Sequence, residues 1–247
     1  MRGDGVLKMM LASLLISGIH VGNATGWSRL SADEIRFVGA FDAASYTGYT
    51  EMAKDGFSRV RVTSEGGNPN MALLIATDIQ SRGAVVVVQD YCLSACANYI
   101  FFAAKRPVVS CGAVLAWHGT PNYLSDEDEL RANGFPDEMI EEMRHWQADF
   151  NRREQALLSR SGVRYEFLEY SGQVEEWGGR KPVFTNHRFD PLTGDTSYSI
   201  EAISWFPTTK ALRKYGVDTS AFCPGYDQAI DHNMTRIGVK GVVTNGD

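Results

Sequence analysis

Two periods of apolar residues organise the first half of the chain. Between Asp33 and Phe41 the spacing predicts a strand around Ile35 to Gly39, and Asp42 to Lys54 carries small and aromatic residues at helical spacing. Phe57 to Thr63 alternates apolar and polar positions, which is a strand signal. Asn68 then offers a helix cap and Pro69 a first helical residue, Met71, Leu74, Ile75 and Ile79 keep one helical face, and Gly83 ends it. Val85 to Val88 is a continuous apolar run, the pattern of a strand buried on both faces. After a short polar stretch, Tyr99 to Ala104 predicts a buried helix ending near Lys105-Arg106-Pro107. Val108-Val109 and Val114 to Trp117 are further strands, broken by His118-Gly119-Thr120-Pro121. Strands and helices in this alternation predict an α/β fold with parallel pairing and right-handed connections.

From Ser125 the pattern changes. Ser125 to Asn133 reads as a short acidic helix and Pro136 to Ser161 as a long one, with Met139, Ile140, Met143, Trp146, Phe150 and Leu157 on one stripe. That stripe packs either on the chain's own sheet or on another subunit. Arg164 to Leu168 predicts a further helix. Pro182 to Thr185 and Ser197 to Ile200 flank the turn-rich Asp190 to Asp195, which predicts a hairpin. Pro207 to Lys214 is a last short helix closed by Gly216. The glycine-rich tail from Cys223 gives no readable period.

Composition adds a compartment. Met9 to Ile19 is apolar but too short to span a bilayer, follows Arg2 and Lys8, and precedes the small residues Gly22-Asn23-Ala24. Residues 1–24 are therefore expected to be a signal peptide cleaved after Ala24, with a single domain over residues 25–247 and export to the periplasm or beyond. In an oxidising compartment Cys92, Cys96, Cys111 and Cys223 are free to pair, in any of three full connectivities. His118, His145, His187 and His232 lack the paired spacing of a zinc site, so no metal is expected. A net charge of -6 without a basic run argues against a nucleic-acid partner.

The candidate chemistry lies at strand ends. Gly66-Gly67 follow one strand, Ser94 follows the next, and His118 follows a third, 24 positions after the serine. In an open α/β sheet the carboxyl ends of neighbouring strands line one crevice. Serine is a weak nucleophile and needs an adjacent base, for which His118 is the candidate. A tetrahedral intermediate needs two oriented donors, which the backbone N–H groups of Gly67 and Ala95 would supply. Each piece also has a bland reading, as a plain turn, a helix cap or a structural histidine; their order is what joins them.

Ser64-Glu65-Gly66-Gly67, the helix from Met71 to Ser81, Cys92-Leu93-Ser94-Ala95-Cys96 and His118 together resemble the proteolytic subunit of the Clp protease. More broadly they resemble the ClpP/crotonase superfamily, and most of all its exported Clp-protease-like members. The resemblance spans about Ile35 to Thr120 and returns at Thr208 to Val217. It implies a spiral of ββα units with a helical handle at 125–161, into which the hairpin read above would be an insertion at 178–204. It also implies Ser94 as nucleophile, His118 as base, and Gly67 and Ala95 as oxyanion donors. Handles mediate subunit contacts in that family, so a homo-oligomer through Pro136 to Ser161 is an expectation too.

Two departures stand in the sequence. Glu65 replaces a usual proline, and the family's orienting aspartate falls where this chain has Ala202-Ile203-Ser204-Trp205. Asp195 or Glu201 would have to reach in from the hairpin, or the site is a Ser-His dyad. Export separates the chain from cytoplasmic ATP-driven unfoldases, so the expected partner is a peptide or unfolded protein, with no ATPase and no cofactor. Coenzyme A chemistry is set aside on the same ground. The alternative is a catalytically degraded scaffold that binds peptides or proteins.

Overall fold

The computed structural model describes residues 26–121, 127–173, 184–190, 195–200, 204–238 and 241–244. The proposed signal peptide and Glu201 lie outside them. The chain opens with β1 (Gly26–Arg29) and β2 (Glu34–Phe41), followed by α1 (Ala43–Ala53). Asp42 caps α1 by accepting the Ser45 N–H at 2.6 Å, while the Ser45 hydroxyl accepts the Asp42 N–H at 2.8 Å. A reciprocal cap of this kind stabilises a helix start by about 1 kcal/mol. Next come β3 (Arg59–Gly67) and α2 (Pro69–Ser81), with Asn68 capping through its side chain as its position predicts. β4 (Val85–Leu93) follows, with Val86 and Val88 wholly buried.

The segment after Ser94 differs from the helix expected there. Cys96–Ile100 is a wide π turn, and Phe101–Ala103 tightens into a 3₁₀ turn. Every residue from Ala95 to Ala104 is buried, so packing on all sides fixes this irregular geometry where propensity would not. β5 (Val108–Val109) and β6 (Val114–Ala116) complete the sheet.

Strand order is β1-β2-β3-β4-β5, with β6 also paired to β4. All pairs are parallel except β1 with β2, so this is a mixed α/β sheet of mostly parallel strands. The register sets Ser64 beside Cys92 and Leu93 beside Ala116. The ends of β3, β4 and β6 therefore lie side by side.

Three helices follow, α3 (Glu127–Ala132), α4 (Asp137–Ser161) and α5 (Glu166–Gly172); α4 packs on α2 and the 101–103 turn, and α3 packs on α4. In α4 the residues Ile140, Met143, Phe150, Leu157 and Leu158 are buried within the chain itself, on the side of α2 and the 101–103 turn. β7 (Phe184–Asp190) and β8 (Asp195–Ile200) form the expected antiparallel hairpin. β9 (Ser204–Pro207), α6 (Thr209–Lys214), α7 (Tyr226–Ile237) and β10 (Gly241–Thr244) complete the fold. α7 is the element the tail's glycines concealed; Tyr226, Ile230 and Met234 recur every fourth residue and are buried.

The aromatic core gathers behind the strand ends, where Trp117 packs against Phe101, Phe102 and Phe167. Two disulfides close the structure, Cys92–Cys96 and Cys111–Cys223. The second spans 112 positions, and chain-entropy arguments assign such a loop on the order of 4–5 kcal/mol. It holds the 221–223 segment beside β5, where Cys223 N–H donates to Val109 O at 2.9 Å. Both bonds suit an oxidising compartment. Among the described residues no helix is long and apolar enough to cross a membrane.

Candidate active site

β4 ends at Leu93, and Ser94 turns with φ 53°, the only non-glycine residue at positive φ among those described. Such a conformation costs about 1–3 kcal/mol and persists only where the surroundings hold it. Here the Ser94 N–H donates to Ala116 O at 3.0 Å, its carbonyl accepts from Asn98 N–H at 2.8 Å, and the Cys92–Cys96 disulfide bridges across it. The hydroxyl is thus lifted off the strand line and into the space above the sheet's edge.

Gly66 is what lets the end of β3 approach. A methyl group there would fall 2.7 Å from Ser94 Cβ and 2.8 Å from Leu93 O, closer than atoms pack. Its φ of 107° is also open only to glycine. The Gly66 N–H is already taken by the buried Ser64 hydroxyl at 3.1 Å. Gly67, exposed at the strand end, is the next backbone donor in line. On the other side of the serine, the Ala95 N–H has no backbone or side-chain acceptor among the described residues.

β6 delivers His118. Its Nε2 lies 2.6 Å from Ser94 Oγ. Burial draws the imidazole below its ordinary pKa of 6.5, opposed only by the ring's contact with its own backbone carbonyl. A neutral ring whose Nε2 accepts from the serine hydroxyl carries its proton on Nδ1. Of the residues predicted from the sequence, Ser94 and His118 are in direct contact; the glycine set against Ser94 and the Ala95 N–H is Gly66, while Gly67 lies against the Phe41 backbone.

The Nδ1 side is different. Among the described residues no carboxylate is hydrogen-bonded to His118. Asp195 opens β8 opposite Asp190. Trp117 and Trp205 exchange two backbone hydrogen bonds, N–H to O at 2.9 and 2.6 Å, as an antiparallel pair. If that antiparallel register runs on by one step, Ser204 stands across from His118.

Three further features were not singled out from the sequence. Asn98 Nδ2 donates to Gly119 O at 2.7 Å, tying the segment after the nucleophile to the segment after the base. Gly119 abuts Gly172 at the end of α5, and a methyl on Gly119 would fall 2.7 Å from Gly172 Cα. Glu154 on α4 is wholly buried and accepts three hydroxyls, from Tyr99 at 2.9 Å, Thr120 at 2.5 Å and Tyr165 at 2.8 Å. Its sequence signal was a carboxylate at the inward position between Phe150 and Leu157, where the stripe calls for an apolar residue.

No group of three or more His, Cys, Asp or Glu among the described residues is arranged to hold a metal ion. The chain matches no protein-family model, and no curated protein resembles it significantly in sequence.

Proposed function

We propose that the protein is an exported serine hydrolase, a stand-alone peptidase with the ClpP/crotonase-like spiral and a helical handle formed by α3 and α4. The observation that carries this reading is the 2.6 Å contact between His118 Nε2 and Ser94 Oγ at adjoining strand ends. That distance lies within the reach a general base needs. The strained φ of Ser94 and the unpartnered Ala95 N–H beside it support the same assignment.

In this reading Ser94 Oγ bonds to the substrate's carbonyl carbon while its proton passes to His118 Nε2. The N–H groups of Gly67 and Ala95 hold the resulting oxyanion. Collapse breaks the carbon–nitrogen bond, His118 returns the proton to the leaving amine, and an acyl ester remains on Ser94. Water, deprotonated by His118, releases the acid and restores the serine. Substrates are peptides or unfolded chains, taken without an ATPase.

A second reading, a degraded scaffold that binds peptides, is favoured by the lack of a carboxylate on His118 among the described residues. Serine-reactive fluorophosphonate labelling separates the two. We expect the wild-type protein to label and Ser94→Ala to fall to background; equal labelling of both sinks the hydrolase assignment.

A further inference from the structure

Among the described residues the buried acid is Glu154, and it bonds to side chains on the segments that carry the site. Tyr99 lies in the π turn five residues after Ser94, and Thr120 lies two residues after His118. Both donate to Glu154 Oε1. The second oxygen takes the Tyr165 hydroxyl, which enters from the start of α5. We propose that Glu154 is the positioning residue of the site, fixing the distance between Ser94 and His118 by clamping the segments that follow each of them.

Four observations support this role. Both tyrosine hydroxyls are held protonated, chiefly by burial and by the Glu154 charge beside them, so each is obliged to donate. Threonine has only its hydroxyl to offer, and at 2.5 Å that hydroxyl is committed to Glu154. The Asn98–Gly119 bond runs parallel to the clamp and joins the same two segments, yet Asn98 Oδ1 is buried without a partner. That bond joins two neutral groups, whereas hydrogen bonds to a carboxylate are charge-assisted, so the carboxylate is the stronger tie of the two. Finally, burial raises the pKa of Glu154 above its ordinary value, opposed by the three hydroxyls. A carboxylate kept on an apolar helix face against that cost has a task that leucine could not perform.

The inference rests on the hydrolase reading, and its test keeps the two apart. Rates of fluorophosphonate labelling are resolved into kinact and KI for wild type, Glu154→Gln, Thr120→Val, Thr120→Ser and Tyr49→Phe. Tyr49→Phe is the control, because Tyr49 makes a comparable phenol–carboxylate bond to Asp78 at 2.6 Å, between α1 and α2. We expect Thr120→Val and Glu154→Gln to lower kinact about 10- to 100-fold with KI little changed, the scale of a small misplacement of reacting groups. Thr120→Ser should recover most of the loss, and Tyr49→Phe should label like wild type. The inference is overturned if Thr120→Val keeps the wild-type kinact, if Thr120→Ser fails to rescue it, or if Tyr49→Phe loses as much. If the wild-type protein itself does not label, the hydrolase reading fails, and the ¹⁵N imidazole resonances of His118 decide the positioning role. Displacement in Thr120→Val with return in Thr120→Ser upholds it; unmoved resonances reject it.

Discussion

Two polar clusters sit side by side in this molecule and are built on opposite plans. In one, Ser94 and His118 form a neutral pair 2.6 Å apart, with no acid bonded to the ring among the described residues. In the other, Glu154 is a lone carboxylate surrounded by three hydroxyl donors. The first has a base without an acid; the second has an acid without a base. In the best-studied triad, losing the acid's correct hydrogen bond costs about 10⁴ in rate, chiefly because the imidazole takes the wrong tautomer. Here burial alone selects the neutral ring, and its backbone neighbours are held from behind. In the arrangement proposed above, Glu154 would supply the orientation through the frame around the ring, in place of a hydrogen bond to the ring itself.

The comparison is broken most forcefully at the base. Removing His118 as alanine leaves the Glu154 cluster whole, because its three donors come from other residues. If the serine owes its reactivity to the histidine, fluorophosphonate labelling of His118→Ala should fall about 10²- to 10⁴-fold, the range of general base catalysis. Thermal unfolding should change little by comparison, since the neutral ring makes no ion pair among the described residues. A variant that labels within a few-fold of wild type would show that the 2.6 Å contact is structural only.

The next change joins the two plans. Ser204→Asp brings a carboxylate to the position that the antiparallel register, run on by one step, sets across from His118. A charge there would accept the Nδ1 proton and stabilise the imidazolium formed during attack. We expect labelling to rise about tenfold, a fraction of the ~10⁴ that a fully adapted acid supplies. No rise would mean that the frame already orients the ring, which strengthens the role given to Glu154.

Much of the first cluster was legible in the sequence, and the reason is physical. A parallel strand buried on both faces must be written as an apolar run, so Val85 to Val88 announced β4 and the turn after it. Gly66-Gly67 and Asn68-Pro69 carry backbone requirements that few other residues meet, and they marked the end of β3 and the start of α2. The second cluster was not read because its parts are far apart, at Tyr99, Thr120, Glu154 and Tyr165, on elements whose packing no local period reveals. Nor does spacing distinguish a π turn from an α-helix in Cys96 to Ala103; both read as an apolar helical run. The cysteine pairing was likewise open until the fold brought Cys111 to Cys223.

The gentlest test uses pH, because the two clusters answer to it with opposite signs. Burial lowers the pKa of His118 below 6.5, so the unfolded chain binds the proton more readily than the folded one. The stability this group contributes is fully present above 6.5 and is lost as pH falls through the lowered folded value. Glu154 is raised above 4.5, so its contribution is present below 4.5 and is lost as pH rises through its folded value. Labelling needs His118 neutral, so its acid limb should titrate below 6.5, and a sample at pH 6.5 should keep more than half of its plateau rate. In Ser204→Asp the new charge favours the imidazolium, and the limb should move upward. A wild-type limb at or above 6.5 would mean that His118 is already stabilised as a cation, and the contrast between a neutral pair and a charged clamp would fail.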